Sequence, residues 1–207
     1  LQTFPSWNTE HVLSGQYTKD LNTWFSDQFV CRDQNIHIKY LIQKTFGVKE
    51  IQDIFLTKQG LIEKTAKPNK EQLERNLNAI NTFKQNYPEL NVGFVTAPNA
   101  VSIKKEYLPK YAVTLNQDKQ MDNIYSKLDD SIVKIDLRNT LKKHKDEYLY
   151  YKTDHHWTSL ASYYAYQDIA KTFNLETTKQ SDYTIYPVTT NFEGTLANKT
   201  GSVNIKD

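Results

Sequence analysis

The 207 residues include one cysteine, one methionine, three tryptophans, and six each of glycine and proline. With Cys31 alone, no disulfide can form within the chain, so a disulfide-stapled fold is excluded and cysteine usage says nothing about compartment. Flanked by Phe29 and Val30, that thiol reads as a small core residue. No apolar run approaches the roughly 20 residues that cross a bilayer as a helix, and no signal-peptide pattern is visible. An excess of one charge sign is missing too. Lys and Arg total 26 against 24 Asp and Glu, a net charge of +2. That balance gives no general pull toward nucleic acid or anionic membrane, and no nucleic-acid partner is expected. Internal repeats and low-complexity linkers are absent. The length suffices for one domain with a real core, expected to span 1–207 with an irregular lead-in over 1–16.

Tyrosine is abundant, with 14 copies. A ring face that covers sugar C–H groups and a polar tip that meets hydroxyls suit a glycan surface. A genome rich in A and T gives the same bias.

Apolar spacing predicts helices over 17–28 and over about 33–45, the second stopping at Gly47. Residues 51–63 read as a strand pair turning at Gln59-Gly60, with Ile54 and Leu56 facing one way. Asn69 opens a helix marked by Leu73, Leu77, Ile80 and Phe83, and Pro88 ends it. Asn91 to Ala97 reads as a buried strand and Ser131 to Leu137 as another, with a helix over 119–128 between them. Tyr148 to Tyr151 reads as a short strand. A helix follows from Thr158 or Ser159 to Phe173, both starting residues being good N-caps. A strand around Tyr183 to Tyr186 is possible, and Phe192 to Asp207 shows no closing element. Strands alternating with helices argue for an α/β fold with a partly parallel sheet.

The segment with most chemical content is Tyr150-Tyr151-Lys152-Thr153-Asp154-His155-His156-Trp157-Thr158. It lies between a predicted strand and a predicted helix, where open α/β sheets place their sites. An Asp two residues before a His can orient the imidazole and leave its far nitrogen as a general base. A serine served by that base becomes an acyl-forming nucleophile. The same Asp and His can equally be capping and surface residues. Asp154, His155 and His156 are all possible metal ligands. Adjacent histidines usually point to different sides, however, and no Cys pair or His-x₃-His accompanies them. The D-H-H string also occurs in metal-dependent phosphoesterases, whose upstream Asp motifs are missing here. No metal and no cofactor are expected.

Thr153-Asp154-His155-His156-Trp157-Thr158 resembles the T-D-x-H-W segment of the DHHW family and of the alginate O-acetylation proteins. Supporting stretches follow in order: Asp27, Phe29 and Arg32; Gly60-Leu61; Phe94 to Asn99 with Tyr107-Leu108-Pro109; Ile135-Asp136-Leu137-Arg138; and Gly194-Thr195-Leu196 with Lys199-Thr200-Gly201. The resemblance implies an SGNH-hydrolase-like α/β sheet flanked by helices, with a permuted order of catalytic residues. Asp154 and His156 are then the candidate catalytic residues. Tyr151, Lys152, His155 and Trp157 are the candidate substrate-binding residues.

The family's Ser, carried on a G-D-S-like segment, is absent. The serines after Asp154 are Ser159, Ser162, Ser181 and Ser202. The nucleophile is therefore expected beyond Asp207, with the fold incomplete at the C-terminus. The implied function is O-acetyl transfer to a bacterial polysaccharide outside the cytoplasmic membrane. The donor would be a membrane-bound acyltransferase partner, and the parent protein anchored or secreted. Hydrolysis of acetylated glycans and non-catalytic glycan binding are the alternatives.

Overall fold

The computed structural model describes residues 3–28, 32–202, 205 and 207, with backbone alone for 25–28, 32 and 33. Expectations placed on Asp27, Phe29, Val30, Cys31 and Arg32 fall outside these residues or outside the described side chains. By its contacts the chain divides into two compact units, 1–48 with 200–203, and 49–199 with 204–207.

The smaller unit is helical: α1 (Thr9–Leu13), α2 (Gln16–Gln28) and α3 (Arg32–Thr45). The lead-in is not wholly irregular, because Asn8 caps α1 by accepting from the His11 amide at 2.7 Å. Gly47 follows α3 at φ 76°, as a helix stop requires.

The larger unit begins with an antiparallel meander of β1 (Glu50–Ile51), β2 (Ile54–Thr57) and β3 (Gly60–Glu63). Alternation puts the two faces of this hairpin into two different cores. Ile54 and Leu61 pack with Leu196 and Ala197, while Phe55 and Ile62 pack with Val101. Helix α4 (Lys70–Asn86) is capped by Asn69, which accepts from the Gln72 amide. It buries Leu77 against Met121, Tyr125, Leu128 and Ile132. The last of these follow α6 (Gln117–Ser126). A short helix, α5 (Ala100–Ile103), precedes it.

Strands β4 (Gly93–Thr96) and β5 (Val133–Asp136) pair in parallel, from Gly93 opposite Val133 to Thr96 opposite Asp136. Sequence predicts β4 to be buried, yet it is half-exposed, with Val95 at 40%. Among the described residues β5 is its sole ladder partner.

The charged stretch after β5 forms α7 (Arg138–Lys143). Arg138 binds both carboxylate oxygens of Asp136 and reaches Asp122 at 2.6 Å and the Asp118 carbonyl at 3.0 Å. The Asp-Leu-Arg sequence thus ties the end of β5 to α6. Helix α8 (Ser159–Thr172) buries Ala161 and Ala165 against Ile135, Leu137, Leu141 and Leu149. The segment around Tyr183 to Tyr186 is not a strand. Tyr163 and Tyr166 of α8 donate to the carbonyls of Thr178 and Glu176 in the loop before it, and Tyr183 meets Tyr163 edge-on. Helix α9 (Thr195–Thr200) supplies an element where the sequence showed none. The result is a mixed α/β structure of small sheets flanked by helices.

Candidate active site

The loop that carries the T-D-H-H-W sequence is pinched at its base. Tyr150 and Trp157 form an antiparallel bridge, the Tyr151 amide donates to the His156 carbonyl, and the Thr158 amide donates to the Leu149 carbonyl. The expected strand over 148–151 is reduced to this bridge. Thr158 occupies the N-cap position of α8, but its hydroxyl donates to the Tyr148 carbonyl at 2.6 Å instead of capping. The side chain that would cap the helix closes the loop.

Thr153, fully buried, fixes the tip. Its carbonyl accepts from the Leu196 and Ala197 amides at the start of α9, and its hydroxyl accepts from the Gly194 amide. Its own amide and hydroxyl donate to the Asp207 carboxylate, which also accepts from the Lys152 amide and the Tyr148 hydroxyl. From the other side, the Leu61 amide donates to the Lys152 carbonyl at 2.8 Å. Gly60 sits at φ 122°, and a Cβ there would lie 2.7 Å from the Lys152 Cα, so both conformation and space demand glycine.

On this frame Asp154 and His156 meet. Asp154 Oδ1 accepts from the His156 amide at 3.0 Å and contacts His156 Nδ1 at 2.6 Å. Oδ2 accepts from the amide and hydroxyl of Thr195, both at 2.9 Å. Asp154 is 6% exposed, whereas the His156 side chain is 66% exposed. Burial alone would push the Asp154 carboxyl up. The hydrogen bonds from Thr195 and His156 outweigh it and hold the group well below the usual carboxylate range.

Because the folded value lies below the unfolded value of about 3.9, this carboxylate stabilises the fold above about pH 4. The contribution is lost as pH falls toward the folded value. Urea midpoints at pH 6 and pH 3 are expected to fall less for Asp154→Asn than for the wild type. Equal falls would mean the hydrogen-bonded carboxylate contributes nothing to acid sensitivity.

The expected substrate-binding residues scatter in character. Tyr151 is half-buried, its ring 5.2 Å from Phe192 and 6.0 Å from Tyr148. Lys152 is exposed, with Nζ 5.8 Å from the Tyr148 ring. Trp157 packs against the α8 core and lines an apolar cavity of about 370 Å³ with Val95, Ala97, Leu137, Ala165 and Ile169. Neither Asp154 nor His156 lines that cavity. Tyr150 is core, its hydroxyl donating to the Pro98 carbonyl.

His155 does not turn away from His156. The ring centroids lie 3.9 Å apart, and His155 Nδ1 lies 3.0 Å from the Thr195 hydroxyl and 3.5 Å from Asp154 Oδ1. Sequence reasoning gave no role to Thr153, Thr195 or Asp207. Thr153 and Thr195 do stand in the T-D-x-H-W and Gly194-Thr195-Leu196 stretches, whereas no motif marks Asp207.

A buried carboxylate hydrogen-bonded to an exposed imidazole, on a loop entering a helix of an α/β unit, is an arrangement that acid–base chemistry can use. Residues 54–206 match the family described as the SGNH hydrolase-like domain of the acetyltransferase AlgX, and the chain belongs to that family. Three solved structures resemble it. A DHHW family protein from Eubacterium siraeum is 22% identical with a TM-score of 0.59, over 71% of this chain and 48% of that one. PatB1 of Bacillus cereus with a sulfonyl adduct is 21% identical with a TM-score of 0.57, over 67% and 50%. The O-acetyltransferase domain of Pseudomonas putida AlgJ is 20% identical with a TM-score of 0.52, over 70% and 57%. The chain spans about half the length of these structures. No curated protein matches it.

Proposed function

We propose that this chain is the acid–base portion of an O-acetyltransferase that acetylates hydroxyls of a bacterial polysaccharide outside the cytoplasmic membrane. The 2.6 Å contact between Asp154 Oδ1 and His156 Nδ1 carries the reading. With Nδ1 protonated and bound to Asp154, the far nitrogen of His156 is left to accept a proton.

Among the described residues, the His156 imidazole has Asp154 as its sole hydrogen-bond partner. We place the nucleophilic serine in the part of the full-length protein that follows Asp207. His156 takes the hydroxyl proton as the serine oxygen attacks the donor's acetyl carbonyl. It returns that proton to the departing donor group, leaving an acetyl-serine. A sugar hydroxyl then attacks the ester and gives its proton to His156, which passes it to the leaving serine oxygen. Tyr151 and Phe192 flank the site as ring faces for the sugar. The acetyl donor is a membrane-bound acyltransferase partner.

The exposure of His156 favours one second reading. A base open to solvent also activates water, which would make the enzyme an esterase on acetylated glycans.

Intact mass after incubation with 4-nitrophenyl acetate tests the site. The full-length protein is expected to gain one acetyl group on a serine after Asp207, and the 1–207 chain none. An adduct mapped to a serine within 1–207 would refute the placement of the nucleophile. Release of acetate without transfer to any polysaccharide acceptor would establish the esterase.

A further inference from the structure

We propose that Asp154, His155 and His156 together form a binding site for a zinc-class divalent cation, in competition with the Asp154–His156 hydrogen bond. Each of the three residues offers a ligand atom, and these atoms all lie within 4.8 Å of one another. Asp154 Oδ1 is 2.6 Å from His156 Nδ1 and 3.5 Å from His155 Nδ1. Tetrahedral zinc with bonds of about 2.0–2.1 Å sets its ligand atoms roughly 3.3 Å apart. The two distances from Asp154 Oδ1 bracket that value, and the two imidazoles, both exposed, lie within 4.8 Å of each other by their ligand atoms.

The carboxylate is already aimed. Its Oδ2 is held by the Thr195 amide and hydroxyl, which leaves Oδ1 facing both imidazoles. Such outer bonds orient metal-binding carboxylates. The tilted rings, with centroids 3.9 Å apart, bring two imidazoles to one side of the loop. Two nitrogens and one oxygen suit zinc and its neighbours, whereas magnesium and calcium prefer oxygen alone. Solvent supplies the fourth ligand.

Binding through His156 Nδ1 requires the ring's one proton to sit on Nε2 instead, by exchange with solvent and with no net release, and turns the ring out of its bond with Asp154. An ion here would therefore block the acid–base pair. That consequence rests on the acetyl-transfer reading; the binding does not. It gives His155 a role that the acetyl-transfer steps leave empty.

Titration calorimetry of the 207-residue chain with zinc chloride tests the proposal without any turnover. One ion per chain is expected. Binding should weaken at least tenfold in His155→Ala, His155→Gln and His156→Ala, and stay unchanged in His144→Ala. Magnesium chloride should give no binding. X-ray absorption of the zinc-loaded chain should show two imidazole nitrogens at about 2.0–2.1 Å. No saturable binding, equal affinity in both His155 variants, loss in His144→Ala, or equal binding of magnesium would each overturn the site. Zinc bound as described by a full-length protein that forms no acetyl-serine would sink the enzymatic reading and leave the site standing.

Discussion

His156→Ala in the full-length protein is expected to lower acetyl turnover by at least about 10³-fold, since general-base loss in a triad costs 10²–10⁴ or more. The thermal midpoint should move by no more than about 2 °C, because changes at exposed positions seldom exceed about 0.5 kcal/mol. The side chain is 66% exposed, and its one ring bond is to Asp154. The loss should fall on kcat, with KM for the acetyl donor little changed, since the imidazole acts in proton transfer and not in ground-state binding. Asp154→Asn should lose turnover on a similar scale, because donors face both carboxylate oxygens and an amide must turn its NH2 toward either the Thr195 pair or the His156 pair. His155→Ala should be milder by more than tenfold. A His155→Ala defect as deep as that of His156→Ala would assign the base wrongly. Collapse of the fold in His156→Ala would make the pair structural.

What the sequence revealed of this site was its local part. Asp154 and His156 are two residues apart, and a two-residue step on a tight loop is enough to join a carboxylate to an imidazole. The helices of the larger unit were legible for a similar reason. Leu73, Leu77 and Ile80 repeat at helical spacing, and Asn69 caps the helix where its position says it should. The β2–β3 hairpin was marked by Gly60 at the turn. Contacts across long separations were not legible. Thr195 meets Asp154 over 41 residues, and Asp207 meets Thr153 over 54. No periodicity encodes such pairings. Short helices such as α5, α7 and α9 offer at most six residues, too few for an apolar stripe to repeat. Burial was misread for β4 because an apolar run tells what a strand contains but not how many neighbours it has. The orientation of His155 and His156 was misread because adjacent side chains diverge in regular structure, whereas this loop bends at each step.

Gly194→Ala should do the broadest damage of any single methyl added to the loop's supports. A Cβ at 194 would lie 2.4 Å from the Asp154 Cβ, 2.7 Å from Asp154 Oδ2 and 2.7 Å from the Thr153 carbonyl oxygen. Two of these atoms belong to the short, buried Asp154 side chain and one to backbone, so no flexible tip can swing aside. Relief requires 194–197 to move away from 153–154. That motion stretches the Thr195 bonds to Asp154, the Leu196 and Ala197 bonds to the Thr153 carbonyl, and the Gly194 bond to the Thr153 hydroxyl. Overpacking of this kind costs about 1–3 kcal/mol. The urea midpoint should drop accordingly. Turnover of the full-length protein should fall by at least tenfold at temperatures where the variant remains folded, because Asp154 loses the anchors that aim Oδ1 at His156. The two readouts separate the causes. Lower stability with full turnover would show that Thr195 supports the fold without positioning Asp154. A variant as stable and as active as the wild type would contradict the close approach of the two segments on which the site's geometry depends.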